Sequence, residues 1–231
     1  MVLPGCTVPV RRMTTPADTS GLSALRQRMV ESQLRGRGVT DERVLDVMGR
    51  VPRHEFAPVP YRDQAYADRP LPIGERQTIS QPYIVALMLE ALALLPSDRV
   101  LEVGTGSGYV TALLAELAAQ VFSVERHAVL AHGARELLAD MGYSNLRVIV
   151  GDGSHGFPEG APYDAIIVSA AAANVPAALL AQLAEGGRLI IPVGTPDSQQ
   201  LHFIRMEHGQ PRITLRELCR FVPLVPGESG S

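Results

Sequence analysis

Apolar residues recur at helical spacing at Leu22, Leu25 and Met29, predicting a helix from Leu22 to Arg35 that Gly36-Arg37-Gly38 ends. A second short helix is expected from Thr40, read as its N-cap, to about Gly49, with Asp41 and Glu42 in the dipole-favoured first turn. Between Pro52 and Gln77 the periodicity fails. Pro52, Pro58, Pro60, Pro70, Pro72 and Gly74 predict an ordered, irregular crossing with one short strand. Pro82 then opens a helix to about Leu95, since a missing N–H costs little in a first turn.

From Arg99 onward, short apolar runs alternate with helical patterns. Strands are expected at Arg99–Val103, Val121–Val124, Leu146–Val150, Ala165–Ser169 and Arg188–Val193. Helices are expected at Tyr109–Ala119, Ala128–Met141 and Pro176–Ala184. That alternation implies α/β architecture: a doubly wound, mostly parallel sheet with helices on both faces. The tail differs. Gln200–Met206 and Ile213–Phe221, separated by Glu207-His208-Gly209-Gln210-Pro211, read as an antiparallel hairpin at the sheet edge. The expected organisation is one domain over 21–231, with a helical layer and crossing at 21–80 and the core at 81–231. Residues 1–20, rich in Pro and Thr, are expected to be disordered, and Met13 is a candidate start.

Composition narrows the partners. The chain has 231 residues and a formal net charge of −3, with no Lys/Arg cluster interleaved with aromatics, so nucleic acid is not expected. Ala165–Ala184 is the most apolar stretch, but Asn174, Pro176 and Gln182 interrupt it, so no membrane span is expected. Cys6 and Cys219 are too few for a disulfide framework, and a reducing cytoplasm is the simplest compartment. His127, His132, His155, His202 and His208 show no metal-ligand spacing and are assigned surface or packing roles; His54 is given no chemical role.

The chemistry centres on Val100-Leu-Glu-Val-Gly-Thr-Gly-Ser-Gly108, a buried-strand pattern that empties into alternating glycines before a helix. Such a loop lets backbone approach a ligand closely, and the helix N-terminus offers unpaired N–H groups. Tyr109 stands where a dinucleotide fingerprint would place its last glycine, which disfavours a nicotinamide cofactor. Glu102 would repel a pyrophosphate, yet suits the ammonium and sulfonium of S-adenosylmethionine. Glu125, ending the second strand of the alternating core, can accept hydrogen bonds from ribose hydroxyls, and Asp152 can meet an adenine amino group.

With these residues in view, the chain from about Arg26 to Glu228 resembles the protein-L-isoaspartate O-methyltransferases, of class I, Rossmann-like fold. The specific pieces are Leu71-Pro-Ile-Gly74, Gln77-Thr-Ile-Ser-Gln-Pro-Tyr83, Val100–Tyr109, Gly151-Asp-Gly153, Tyr163–Val168, Gly186–Gly194 and Phe221-Val-Pro-Leu224. The resemblance implies methyl transfer from S-adenosyl-L-methionine to the free α-carboxylate of L-isoaspartyl residues in damaged proteins and peptides, in a cytoplasmic, monomeric enzyme. The methyl ester then collapses to a succinimide, whose hydrolysis restores some normal linkage. It also implies Ser80 as the active-site residue. Implied cofactor positions are Ile79, Gln81, Pro82, Glu102, Gly104, Thr105, Gly106, Ser107, Gly108, Glu125, Arg126, Asp152 and Gly153. Thr78, Ser80, Val222, Pro223 and Leu224 are implied on the substrate side, with no metal.

On local sequence alone Ser80 reads first as a helix N-cap. Two stretches depart from the family pattern: Ser154-His155-Gly156-Phe157, where bacterial relatives often carry tryptophan, and the Ala170–Asn174 run in place of Ala-Ala-Pro. The rival readings are another class I methyltransferase on a different carboxylate or small molecule, a nicotinamide-dependent oxidoreductase, and a non-catalytic cofactor-binding module.

Overall fold

A computed structural model describes residues 21–225; the segments 1–20, with Cys6 and Met13, and 226–231 lie outside the described residues. The strands are β1 (Leu71–Gly74), β2 (Gln77–Ile79), β3 (Arg99–Val103), β4 (Gln120–Glu125), β5 (Leu146–Val150), β6 (Tyr163–Val168), β7 (Leu183–Gly194), β8 (Gln199–Glu207) and β9 (Gln210–Cys219). β3 to β9 form one sheet in the order β5-β4-β3-β6-β7-β8-β9. The pairs from β5 to β7 are parallel, and β8 and β9 add antiparallel at one edge, as the change of pattern in the tail predicts.

Burial explains the register. Val100, Leu101 and Val103 of β3 are buried, and Leu101 sits beside Phe122 on β4 and Ile166 on β6. A parallel strand covered on both faces is mainly apolar for this reason, and in β3 the buried Glu102 is the one polar exception among Val100–Val103. Helices α3 (Pro82–Leu92), α4 (Tyr109–Leu117), α5 (Ala128–Asp140) and the short α6 (Ala177–Ala181) follow the expected alternation. α6 starts one residue later than expected because Pro176 is its N-cap.

The N-terminal layer holds α1 (Leu22–Arg28), prolonged by a wider turn to Leu34 and a tight one to Arg37, and α2 (Glu42–Arg50). Gly38 ends the first at φ 95°, as anticipated. The cap of α2 is Asp41, one residue beyond the expected Thr40: its carboxylate accepts from the N–H groups of Arg43 and Val44. Thr40 instead donates through its N–H (2.6 Å) and its hydroxyl (3.1 Å) to Glu90 on α3. Arg53 ties this layer to the core. It is fully buried, donates Nε to the Ala65 carbonyl at 2.7 Å, and lies 4.9 Å from the centre of the Tyr109 ring. Phe56 meets that ring edge-on at 5.6 Å.

The crossing contains two short strands, where one was expected. β1 and β2 pair antiparallel through a turn in which Glu75 and Arg76 adopt φ 49° and 56°. This hairpin lies over the glycine loop: a Cβ on Gly106 would come 3.2 Å from Ile73 Cδ1.

Candidate active site

In doubly wound sheets, ligands bind at the carboxyl ends of the strands where the strand order reverses. Here that point falls between β3 and β6, and a pocket opens there. Its lining comes from the ends of β3 (Val103 to Ser107), β4 (Val124 to His127) and β6 (Ser169, Ala170), with Gly153 after β5. Gln77, Thr78, Ile79 and Ser80 border it on one side, and Val222 to Val225 of the tail on another.

Glu125 gives the pocket its acid. The side chain is buried, and its two oxygens accept from the backbone N–H groups of Gly106 (2.8 Å) and His127 (2.9 Å). A carboxylate oxygen has a second lone pair, so Glu125 keeps acceptor capacity for ligand hydroxyls while pinning the glycine loop. Gly106 has φ 54° and the Ile73 contact above, so a side chain there would be strained and crowded. These features fit S-adenosylmethionine: hydroxyl acceptors at one end, close backbone approach, and an acid where a phosphate would be repelled.

The tail segment is strapped across this pocket. Ala171 donates its N–H to the Val222 carbonyl (2.8 Å), Leu224 donates its N–H to the Ala171 carbonyl (2.7 Å), and Arg126 Nη1 donates to the Val225 carbonyl (2.7 Å). The alanine run noted in the sequence is therefore the docking rail for the tail. The other departure also has a packing use, since Phe157 stacks on Phe122 at 5.6 Å.

Of the implied cofactor residues, Ile79, Gly104, Thr105, Gly106, Ser107, Glu125, Arg126 and Gly153 line the pocket, as do Thr78, Ser80, Val222, Pro223 and Leu224 of the substrate set. Five implied cofactor residues do not. Gln81 points its amide to Asp68 Oδ2 at 2.8 Å, and Pro82 is buried as the first residue of α3. Gly108 is the N-cap of α4, where a Cβ would come 3.1 Å from Leu138, so its smallness serves helix packing. Asp152 caps the following turn by accepting from Ser154 N–H at 2.8 Å.

Glu102 is the largest correction. Expected beside the loop, it is fully buried and turned into the core, where its Oε2 accepts from Thr111 Oγ1 (2.5 Å) and Ser123 Oγ (2.6 Å). Ser123 in turn lies 2.5 Å from Thr105 Oγ1, so Glu102 braces the loop from beneath. Burial pushes its carboxyl up to about 8, with the nearby Glu125 charge adding to the rise.

Sequence reasoning missed several lining residues. His127, assigned a surface or packing role, borders the pocket, as do Gln77, Tyr109, Val110, Ser169 and Val225. Ser169 was findable, because the strand-end rule applied to β3 to β5 holds equally for β6. Ser80 is not the cap of α3: that position is Gln81.

Residues 25–229 match the profile described as protein-L-isoaspartate(D-aspartate) O-methyltransferase (PCMT). The chain belongs to that family. A protein-L-isoaspartate O-methyltransferase of Koribacter versatilis is 53% identical over 95% of this chain and 99% of its own length. One from Methylorubrum populi is 56% identical over 88% and 96%. Among solved structures, a Plasmodium falciparum protein described as of the same family, in complex with S-adenosyl-L-homocysteine, superposes with a TM-score of 0.76 at 28% identity, covering 87% of this chain and 98% of that one. The present protein is thus an S-adenosylmethionine-dependent carboxyl methyltransferase acting on L-isoaspartyl residues of damaged proteins.

Proposed function

We propose that Ser80 orients the isoaspartyl carboxylate for methylation, and that Glu125, Arg126, Gly153 and the Gly104–Ser107 loop hold the cofactor. The observation that carries this reading is the position of Ser80. It borders both the cofactor pocket and an adjoining cleft, is partly buried, and its hydroxyl has no hydrogen-bond partner among the described residues. When bound, the cofactor supplies an electrophilic methyl group on a sulfonium. The substrate carboxylate is already ionised at neutral pH, its reference pKa being about 4, so no general base is required. What the chain provides is alignment and partial exclusion of water. Ser80 donates to one carboxylate oxygen and leaves the other free to attack. Thr78 and Val222–Leu224 flank the substrate side, and the tail strap keeps water from a weak nucleophile.

The enzyme acts as a monomer in the cytoplasm, without nucleic acid, through a single domain spanning 21–231, its core at 81–231 and its substrate side built largely by 21–80. The charge of −3 argues against a nucleic-acid partner, and among the described residues no helix is long and apolar enough to cross a membrane. Labelled S-adenosylmethionine, offered with paired isoaspartyl and aspartyl peptides, tests the activity and the role of Ser80 together. The isoaspartyl peptide alone should be labelled. Ser80→Ala should lower kcat roughly tenfold to a hundredfold, with S-adenosylhomocysteine affinity held within about threefold. Cofactor affinity collapsing in step with turnover would remove Ser80 from the orienting role.

A further inference from the structure

Beside the cofactor pocket, a second cavity of about 520 Å³ runs along the end of β9, and Thr78, Ser80, Ser169 and Val222 border both. Its walls carry charges of different availability. Arg37 is engaged, paired with Asp68 and stacked 3.4 Å from the centre of the Tyr83 ring. Arg220 and Glu217 also line the cavity, both exposed, and neither side chain has an ion-pair or hydrogen-bond partner among the described residues. Their order along the chain matters. Val222 borders the cofactor pocket, Arg220 stands two residues before it, and Glu217 five, so along the chain the available positive charge is the one next to the segment shared by both cavities.

We propose that this cleft seats the polypeptide flanking the isoaspartyl residue, and that Arg220 is a specificity residue selecting an acidic side chain next to the damage. The inference rests on the methyl-transfer reading of Ser80 and deepens it. A ligand carboxylate at Arg220 displaces no internal partner, whereas a ligand cation there meets an uncompensated like charge. Discrimination therefore comes from attraction to one substrate and repulsion of the other. Glu217, farther along the chain from Val222, favours the opposite sign beyond the adjacent residue.

The test compares kcat/KM for isoaspartyl peptides carrying Glu, Gln or Lys adjacent to the isoaspartate, before it in one series and after it in another. In one series the wild-type ratio for Glu over Lys should be about fivefold, the upper range of a single solvent-exposed ion pair, and should shrink as salt is raised. Arg220→Gln should bring that ratio near one, and Arg220→Glu should invert it. A wild-type ratio near one in both series, or a ratio that Arg220→Glu leaves unaltered, overturns the proposal while isoaspartyl methylation stands. Failure to methylate any of the isoaspartyl peptides overturns the underlying reading, and the proposal with it.

Discussion

Ser80 and Glu102 exchange the roles that their local sequence suggests. A serine before Gln81-Pro82 has the look of a cap, yet the cap position is Gln81 and the serine hydroxyl has no hydrogen-bond partner among the described residues. A glutamate beside a glycine loop has the look of a ligand residue, yet Glu102 is a buried brace. Its carboxyl is raised from 4.5 to about 8 by folding, so the native state favours the protonated form. That contribution to stability is complete below about pH 4.5 and is lost as pH climbs through 8. Glu102→Gln keeps the shape and carries no titrating proton. Compared with wild type, its melting temperature should be similar near pH 5 and higher by several degrees at pH 9, at roughly 2–4 °C per kcal/mol for a chain of this size. Thermal scans across that range check this, and parallel pH profiles for the two proteins would place the charge elsewhere.

At the scale of elements, the parallel strands were legible because a strand buried on both faces must be mainly apolar: β6 is an unbroken apolar run over Ala165–Val168, and the apolar runs of β3 and β4 are interrupted only by the buried Glu102 and Ser123. The β1–β2 hairpin was half hidden. Its turn places Glu75 and Arg76 at positive φ, where hairpin turns normally advertise themselves with Asn, Asp or Gly. The start of α2 was legible only to within a residue, since Thr40 and Asp41 are both good caps and the choice is made by Glu90, which takes up Thr40 from another helix. Asp41→Ala should therefore cost about 1 kcal/mol in urea unfolding. Thr40→Val, which keeps the backbone bond to Glu90, should cost less. The reverse ranking would restore Thr40 as the cap.

For the whole molecule, the site is assembled from distant parts of the chain, and this limits what sequence reveals. The glycine loop and Glu125 belong to one alternating core, so they could be found together. The strap could not be seen in this way: Arg126 reaches Val225 across 99 residues, and Ala171 pairs with a tail only the folded sheet edge brings near. That tie predicts a kinetic effect. Arg126→Ala should speed S-adenosylhomocysteine release a few-fold in stopped-flow measurements, with the melting temperature within about a degree, because the bond is exposed. An unchanged release rate would mean the strap is held by its Ala171 pairing and by the Gln199–Phe221 bonds without Arg126.

The hydrogen bond from Ser154 to Asp152 has a meaning for the durability of the enzyme itself. Asp152-Gly153 is the chain's one Asp-Gly pair, and there is no Asn-Gly. Asp-Gly is the kind of sequence that ages into isoaspartate, through attack of the following backbone nitrogen on the side-chain carbonyl carbon. Here the carboxylate is occupied by the N–H of Ser154, one residue too far to close that ring, while Gly153 is packed so tightly that an added Cβ would lie 2.3 Å from Val103. The fold thus shields from spontaneous ageing the one spot where a repair catalyst of this kind would be most prone to become its own substrate.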